Sequence, residues 1–169
     1  MNKHLNKINK ISYINLAISD KTGFKKLKIN KKTSTSTFSD INLKSKWYKL
    51  KSLLIDGNIK SSFINVENVK TVTLDNFCSK KKIKNIDLLK IDTEGHEKEV
   101  LIGAKNLMKN KKIKYILIEF HTSKMYKNYR PNNIEKLLKK NKFILNKKFK
   151  FPFLAFEDRF YLNTAYAAK

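Results

Sequence analysis

The chain has 169 residues, with 38 Lys and Arg against 14 Asp and Glu for a formal net charge of +24. With 41% hydrophobic residues it falls in the ordinary globular range, which excludes wholesale disorder, and its length is one domain's worth with room for a real core. The lone Cys78 excludes a disulfide framework or a cysteine metal site, and no apolar run approaches the roughly 20 residues that cross a bilayer.

In chain order, Met1-Asn2-Lys3-His4 leads into polar sequence rather than an apolar signal segment, so a cytoplasmic protein is expected. Ile11 to Ile18 reads as a strand, Gly23 to Ile29 as a second, exposed strand, and the hydroxyl-rich run Thr33 to Ser39 as a loop with little core, of the kind that often stays mobile. Lys46 to Ile55 carries Trp47, Tyr48, Leu50, Leu53 and Leu54 and suits a short amphipathic helix or a strand; Asp56-Gly57 is a turn signal. Glu67 to Leu74 alternates as a strand does, with Val69 and Val72 apolar and Thr71 and Thr73 β-branched.

The second half is clearer. Ile86 to Ile91 is an apolar run expected as a buried strand, since strands covered on both faces lose the in/out alternation. Glu97 to Lys109 predicts a helix with Val100, Leu101, Ala104 and Leu107 on one face, and Ile113 to Phe120 another buried strand. Pro131-Asn132-Asn133 supplies a turn and cap for a helix from Ile134 to Asn141. Phe143 to Phe149 and Glu157 to Leu162 read as closing strands separated by Pro152.

The most informative stretch is the end of the strand at residue 91, where Asp92-Thr93-Glu94-Gly95-His96-Glu97 follows at once. Ligands of open α/β sheets sit outside the carboxyl ends of strands, and four titratable side chains at such a place suggest a site. An acidic first helical turn would account for Glu94 and Glu97 through the helix dipole, but not for Asp92 or His96.

Asp87-Leu88-Leu89-Lys90-Ile91-Asp92-Thr93-Glu94-Gly95-His96-Glu97, then Val100-Leu101-Ile102-Gly103-Ala104, resembles the signature of the FkbM-type S-adenosylmethionine-dependent methyltransferases. Val72-Thr73-Leu74-Asp75-Asn76-Phe77 before it and Tyr115-Ile116-Leu117-Ile118-Glu119-Phe120-His121 after it resemble the family's flanking segments, so the likeness covers about residues 11 to 162. It implies an α/β Rossmann-like sheet ordered 3-2-1-4-5-7-6 with an antiparallel C-terminal strand pair. The family's glycine-containing loop after its first strand, and the acidic residue after its second, have no counterpart among Gly23, Gly57, Gly95 and Gly103. Residues 1 to 18 instead resemble the family's second helix and third strand. The expectation is therefore one partial methyltransferase domain over 1–169, incomplete at its N-terminal strands. The third strand then closes onto the fourth, another polypeptide supplies the gap, or the fold is poorly stable.

By that resemblance the chain is an enzyme that methylates an oxygen of a sugar, glycan or polyketide-like acceptor. Asp92 would form the floor of the site, Glu94 and His96 would be bases or substrate contacts, Glu119 would join the catalytic group by converging on Asp92 from the adjacent strand, and Ala17, Ser19, Asp20 and Asp92 would meet S-adenosylmethionine. The clustered carboxylates are expected to raise each other's pKa, which suits a base near neutrality. Asp92, Glu119 and His121 also have the chemistry of a magnesium or manganese site, although spacing alone does not demand a metal. A satisfied structural role fits each histidine as well as catalysis does, and an ordinary strand-to-turn exit fits Asp20 and Gly23 as well as a cofactor loop. The missing contacts predict weak or absent cofactor binding by this chain alone.

Two other classes compete: a non-catalytic binding module derived from a methyltransferase, and a basic nucleic-acid-associated protein. Against the latter, Arg130 and Arg159 are the only arginines, and the lysines run from Lys3 to Lys169 without forming a stripe. Phosphate and base recognition favours arginine forks. Abundant Lys, Asn and Ile fit an AT-rich coding bias, so nucleic acid is not the expected partner.

Overall fold

The computed structural model describes residues 11–30, 36–56, 63–121, 124–150 and 156–167. Their order is β1 (Ala17–Ile18), β2 (Gly23–Asn30), α1 (Lys46–Asp56), β3 (Phe63–Val72), α2 (Leu74–Lys80) and β4 (Ile86–Ile91), then α3 (Glu97–Gly103), α4 (Lys105–Lys109), β5 (Ile113–His121), α5 (Pro131–Lys140), β6 (Phe143–Lys150) and β7 (Phe156–Asn163). A short 3-10 turn at Thr164–Tyr166 follows. The chain is thus mixed α/β, and no helix among the described residues is long and apolar enough to cross a membrane. The readings of residues 1–10, 33–35, Gly57 and Pro152 lie outside the described residues.

Two sheets form. One is ordered β1-β3-β2, with β1 parallel and β2 antiparallel to β3; the other is ordered β4-β5-β7-β6, with β4 parallel to β5 and both remaining pairings antiparallel. The second runs in the order that the resemblance implies for the last four strands. A single continuous sheet is not found among the described residues: β1 pairs with β3 and makes no ladder with β4. Direct closure of the third strand onto the fourth is therefore corrected. The strand expected over Ile11 to Ile18 also shrinks to two residues, because only Ala17 and Ile18 find ladder partners, in Thr71 and Val72.

The core lies under the second sheet. Leu101, Met108, Ile113, Ile116, Ile118, Phe120, Ile134 and Leu138 are buried there. Pro131 is the first residue of α5 rather than part of a preceding turn, because its missing N–H is an orphan at that position and its fixed φ already suits a helix. β4 departs from its expected burial. Leu88 is 51% exposed, so the two-sided cover that a continuous apolar run anticipates is lacking there, and among the described residues β4 is laddered on one side only.

The segment expected as one helix over Glu97–Lys109 breaks at Ala104. Asp75 accounts for the restart: its carboxylate accepts hydrogen bonds from the backbone N–H of Asn106 and Leu107, both at 2.9 Å, satisfying donors that open a helix. Asp75 lies in α2, which the strand pattern of Glu67–Leu74 hides. The helix starts where the Thr73 hydroxyl accepts from the N–H of Asn76 at 3.1 Å.

Candidate functional site at the carboxyl ends of β4 and β5

The chain leaves β4 through a turn that the backbone forms only with left-handed residues: Glu94 has φ 51° and Gly95 has φ 93°. Glu97 holds that turn. Fully buried, its Oε1 accepts from the Thr93 N–H at 3.1 Å, the Thr93 hydroxyl at 3.1 Å and the Gly95 N–H at 3.0 Å. Glycine is required at 95, because a Cβ there would lie 2.7 Å from the Tyr126 ring. The hydroxyl-rich segment then stitches itself onto the turn. Thr37 Oγ1 donates to the Glu94 carbonyl at 2.6 Å and Ser39 Oγ to the Gly95 carbonyl at 2.7 Å. Over residues 36–39 the expected mobile loop is in fact pinned, since two of its hydroxyls donate to carbonyls of the turn.

The β4–β5 register Ile91↔Ile118 puts Asp92 beside Glu119, and the two meet different surroundings. Asp92 is exposed at the rim of this cluster, with Lys90 Nζ 3.4 Å away. Glu119 is buried, and its carboxyl is pushed up to about 7, first by desolvation and then by Asp92, Glu94 and Glu97, while His121 opposes the rise. The expected elevation is there, but burial leads and the neighbouring charges follow. Burial pushes Glu97 in the same direction, yet His121 and the turn's N–H groups outweigh it and hold that carboxyl below its ordinary value.

His121 sits between the rings of Tyr126 and Tyr129, with centroids 4.8 and 5.3 Å away. Its Nε2 lies 3.5 Å from Glu119 Oε1 and 3.9 Å from Glu97 Oε1, close enough for Coulombic attraction but making no hydrogen bond. The Tyr126 hydroxyl donates to Glu94 Oε2 at 2.5 Å, and burial, with Glu94 beside it, raises the phenol's pKa. Among the described residues no three His, Cys, Asp or Glu side chains are grouped so as to hold a metal ion, and the set Asp92, Glu119 and His121 is not assembled as one.

His96 and Ser19 form a separate, buried link between the two sheets. Ser19 Oγ donates to Asp20 Oδ1 at 2.8 Å and lies 2.9 Å from His96 Nε2. Asp20 is held ionised below its ordinary range: burial works against this, but the hydrogen bonds of Lys25, 2.9 Å away, and of Ser19 prevail. With its proton committed to Asp20, Ser19 accepts from His96, which places the imidazole hydrogen on Nε2. Burial, reinforced by Lys25, lowers the His96 pKa to about 4 and keeps the ring neutral. Nδ1 is then the bare nitrogen, 3.7 Å from Glu99. Ser19 and Asp20, expected to meet a cofactor, are thus engaged in holding β1 to the start of α3.

The sequence pattern of the Methyltransferase FkbM domain matches residues 2–145. The chain belongs to the FkbM methyltransferase family. No curated protein and no solved structure matches it.

Two cavities adjoin the turn of this FkbM domain, sharing Phe38 and His96 as walls. One, of about 320 Å³, lies between β1 and β4 and is lined mainly by apolar side chains, among them Ala17, Ile18, Leu89, Ile91 and Val100. Its lining offers an adenine-like ring an apolar seat, but contains no carboxylate and no glycine for a ribose or a methionine ammonium. The fit to S-adenosylmethionine is therefore partial. Of the four residues expected to meet the cofactor, only Ala17 lines this space. The other cavity, of about 480 Å³, lies between β2, the Phe38–Asp40 segment, the start of α3 and the Asn128–Arg130 approach to α5. The walls of this cavity come from segments far apart in the chain, which no window of local sequence brings together. Tyr126 and Tyr129 were missed, and Glu97, although in the acidic cluster, was given only a helix-dipole role instead of its place as the holder of the turn. Thr93 and Glu97, four apart at a helix start, were the available signal for that role.

Proposed function

We propose that this FkbM domain methylates a hydroxyl group, with Glu119 as the base that removes the acceptor's proton. The observation that carries the reading is a buried carboxyl with a pKa near 7 at the carboxyl end of β5, beside Asp92 and within 3.5 Å of His121 Nε2. A base poised near the working pH combines adequate ionisation with adequate proton affinity. S-adenosylmethionine, when bound, supplies an activated methyl group. Asp92 at the rim and Glu94, oriented by the Tyr126 hydroxyl, add negative potential that stabilises the proton once Glu119 holds it. His121 packs beside the Glu119 carboxyl, its Nε2 3.5 Å from Oε1, and so fixes where that carboxyl stands. Ala17, Ile18 and Leu89 are the surfaces on which the cofactor's flat ring would lie.

The acceptor is a sugar, glycan or polyketide-like hydroxyl by family likeness. A second reading, a binding module derived from the enzyme, draws support from the sparse polar lining of the apolar cavity and the engagement of Ser19 and Asp20. Both readings meet in one assay: formation of S-adenosylhomocysteine over an acceptor panel, with wild type and Glu119→Gln compared. The enzyme reading expects turnover that Glu119→Gln lowers by about 10²–10⁴-fold, the usual share of a general base. Equal rates in the two proteins would remove Glu119 from the mechanism, and acceptor binding without turnover would leave the binding module.

A further inference from the structure

The larger cavity carries more positive charge than its pairings use. Lys25, Lys26, Lys28, Lys98 and Arg130 line it, against Asp40 and Glu99. His96 is neutral, so an excess of three positive charges faces the space. Lys28 is matched by Asp40 at 2.6 Å, and Lys25 by Asp20 at 2.9 Å. Lys26, Lys98 and Arg130 have no carboxylate within ion-pair distance among the described residues. Arg130 is also fixed in place, its Nη1 donating to the carbonyls of Lys127 at 3.0 Å and Tyr129 at 2.9 Å. A held guanidinium keeps its remaining N–H groups as a fork for a planar or tetrahedral anion. In this lysine-rich chain, placing one of its two arginines at a cavity mouth without a carboxylate is the unusual feature.

The space itself suits a small molecule. About 480 Å³ lies within the roughly 300–1,000 Å³ typical of ligand sites. Phe38 and Tyr129 offer apolar surface for an uncharged ring. The shared Phe38–His96 wall, with ring centroids 5.0 Å apart, sets such a ligand next to the apolar cavity.

We infer that this cavity binds a small anionic ligand, a ring-bearing molecule whose phosphate or carboxylate is held by Arg130 with Lys98 and Lys26. The anion site stands independently of the methyl-transfer reading, since Glu119 is not among the residues lining this cavity. Calorimetric titration of the full chain at about 0.15 M salt, where a Debye length of about 8 Å suppresses diffuse attraction, tests it with a hexose 6-phosphate, a hexuronate and the uncharged hexose. Saturable one-to-one binding of either anion and none of the hexose is expected, and the tighter of the two names the group. Arg130→Ala should weaken binding at least about tenfold, the loss of a charged hydrogen bond. Lys80→Ala with Lys84→Ala, which removes the same kind of charge elsewhere, should leave it unchanged. If circular dichroism shows Arg130→Ala unfolded, Lys98→Ala is judged by the same criterion. No saturable binding, or equal weakening by the remote lysine pair, would overturn the site. Glu119→Gln separates the two proposals: it should keep anion binding while losing methyl transfer, and full turnover in it would reject the base and leave the anion site standing.

Discussion

His96 precedes α3 and Glu119 stands near the end of β5, and burial moves both toward their neutral forms. For Glu119 the folded pKa of about 7 lies above the ordinary 4.5, so between those values the folded state holds more protons than the unfolded one. Its contribution to stability is full below pH 4.5 and is lost as pH rises through 7. For His96 the folded pKa of about 4 lies below 6.5, so its contribution is full above pH 6.5 and is lost as pH falls through 4. The slopes oppose each other from about pH 4.5 to 6.5, each limited to about 1.4 kcal/mol per pH unit. Glu119→Gln removes one of them. Urea unfolding at pH 4.5, 5.5 and 6.5 should show the variant gaining stability with pH more steeply than wild type, and parallel curves would mean that Glu119 titrates normally. Asp92 and Glu94 were legible as a cluster from spacing alone. What separated Glu119 from Asp92 was depth, which a strand pattern marks only as a position near the end of an apolar run.

At the scale of elements, two short helices and a two-residue strand depend on one close approach. A Cβ on Gly103 would lie 2.1 Å from the Ser19 carbonyl oxygen, and Ser19 is itself fixed by its N–H bond to the Val72 carbonyl at 2.9 Å and by His96. In a free helix Ala exceeds Gly by about 0.5–1 kcal/mol. Here Gly103→Ala should instead destabilise the protein by about 1–3 kcal/mol, the usual cost of overpacking, because a backbone atom cannot turn aside as a side chain does. Thermal unfolding monitored by circular dichroism decides the sign, and a stabilised variant would show that β1 and α3 do not touch so closely. The helical periodicity of residues 97–109 was sound as far as it went. It missed the break at Ala104 because Asp75, from another helix, supplies the restart, and a window of local sequence does not contain it.

On the scale of the whole molecule, the edge of β4 matters most. Leu88 is half exposed on a strand laddered on one side only among the described residues, and Phe24 and Tyr13 add exposed apolar surface elsewhere. Hydrophobic strand edges pair with whatever strand they meet. Sedimentation at rising concentration should show self-association, and Leu88→Lys should reduce it, since an edge lysine must be desolvated before another strand can pair. Association unchanged by Leu88→Lys would place the contact elsewhere.

The sequence by itself determined most elements from β4 onward, and it determined the acidic turn, because periodicity, Gly95 and the run of carboxylates are local properties of a few consecutive residues. It also carried the family, through three segments in fixed order. The tertiary structure decided which of those carboxylates is buried, which serine and aspartate are already engaged, where Arg130 stands, and that the strands divide into two sheets. Each of those outcomes depends on groups separated by tens of residues meeting in a low-dielectric place, where desolvation and charge act on whatever the fold brings together.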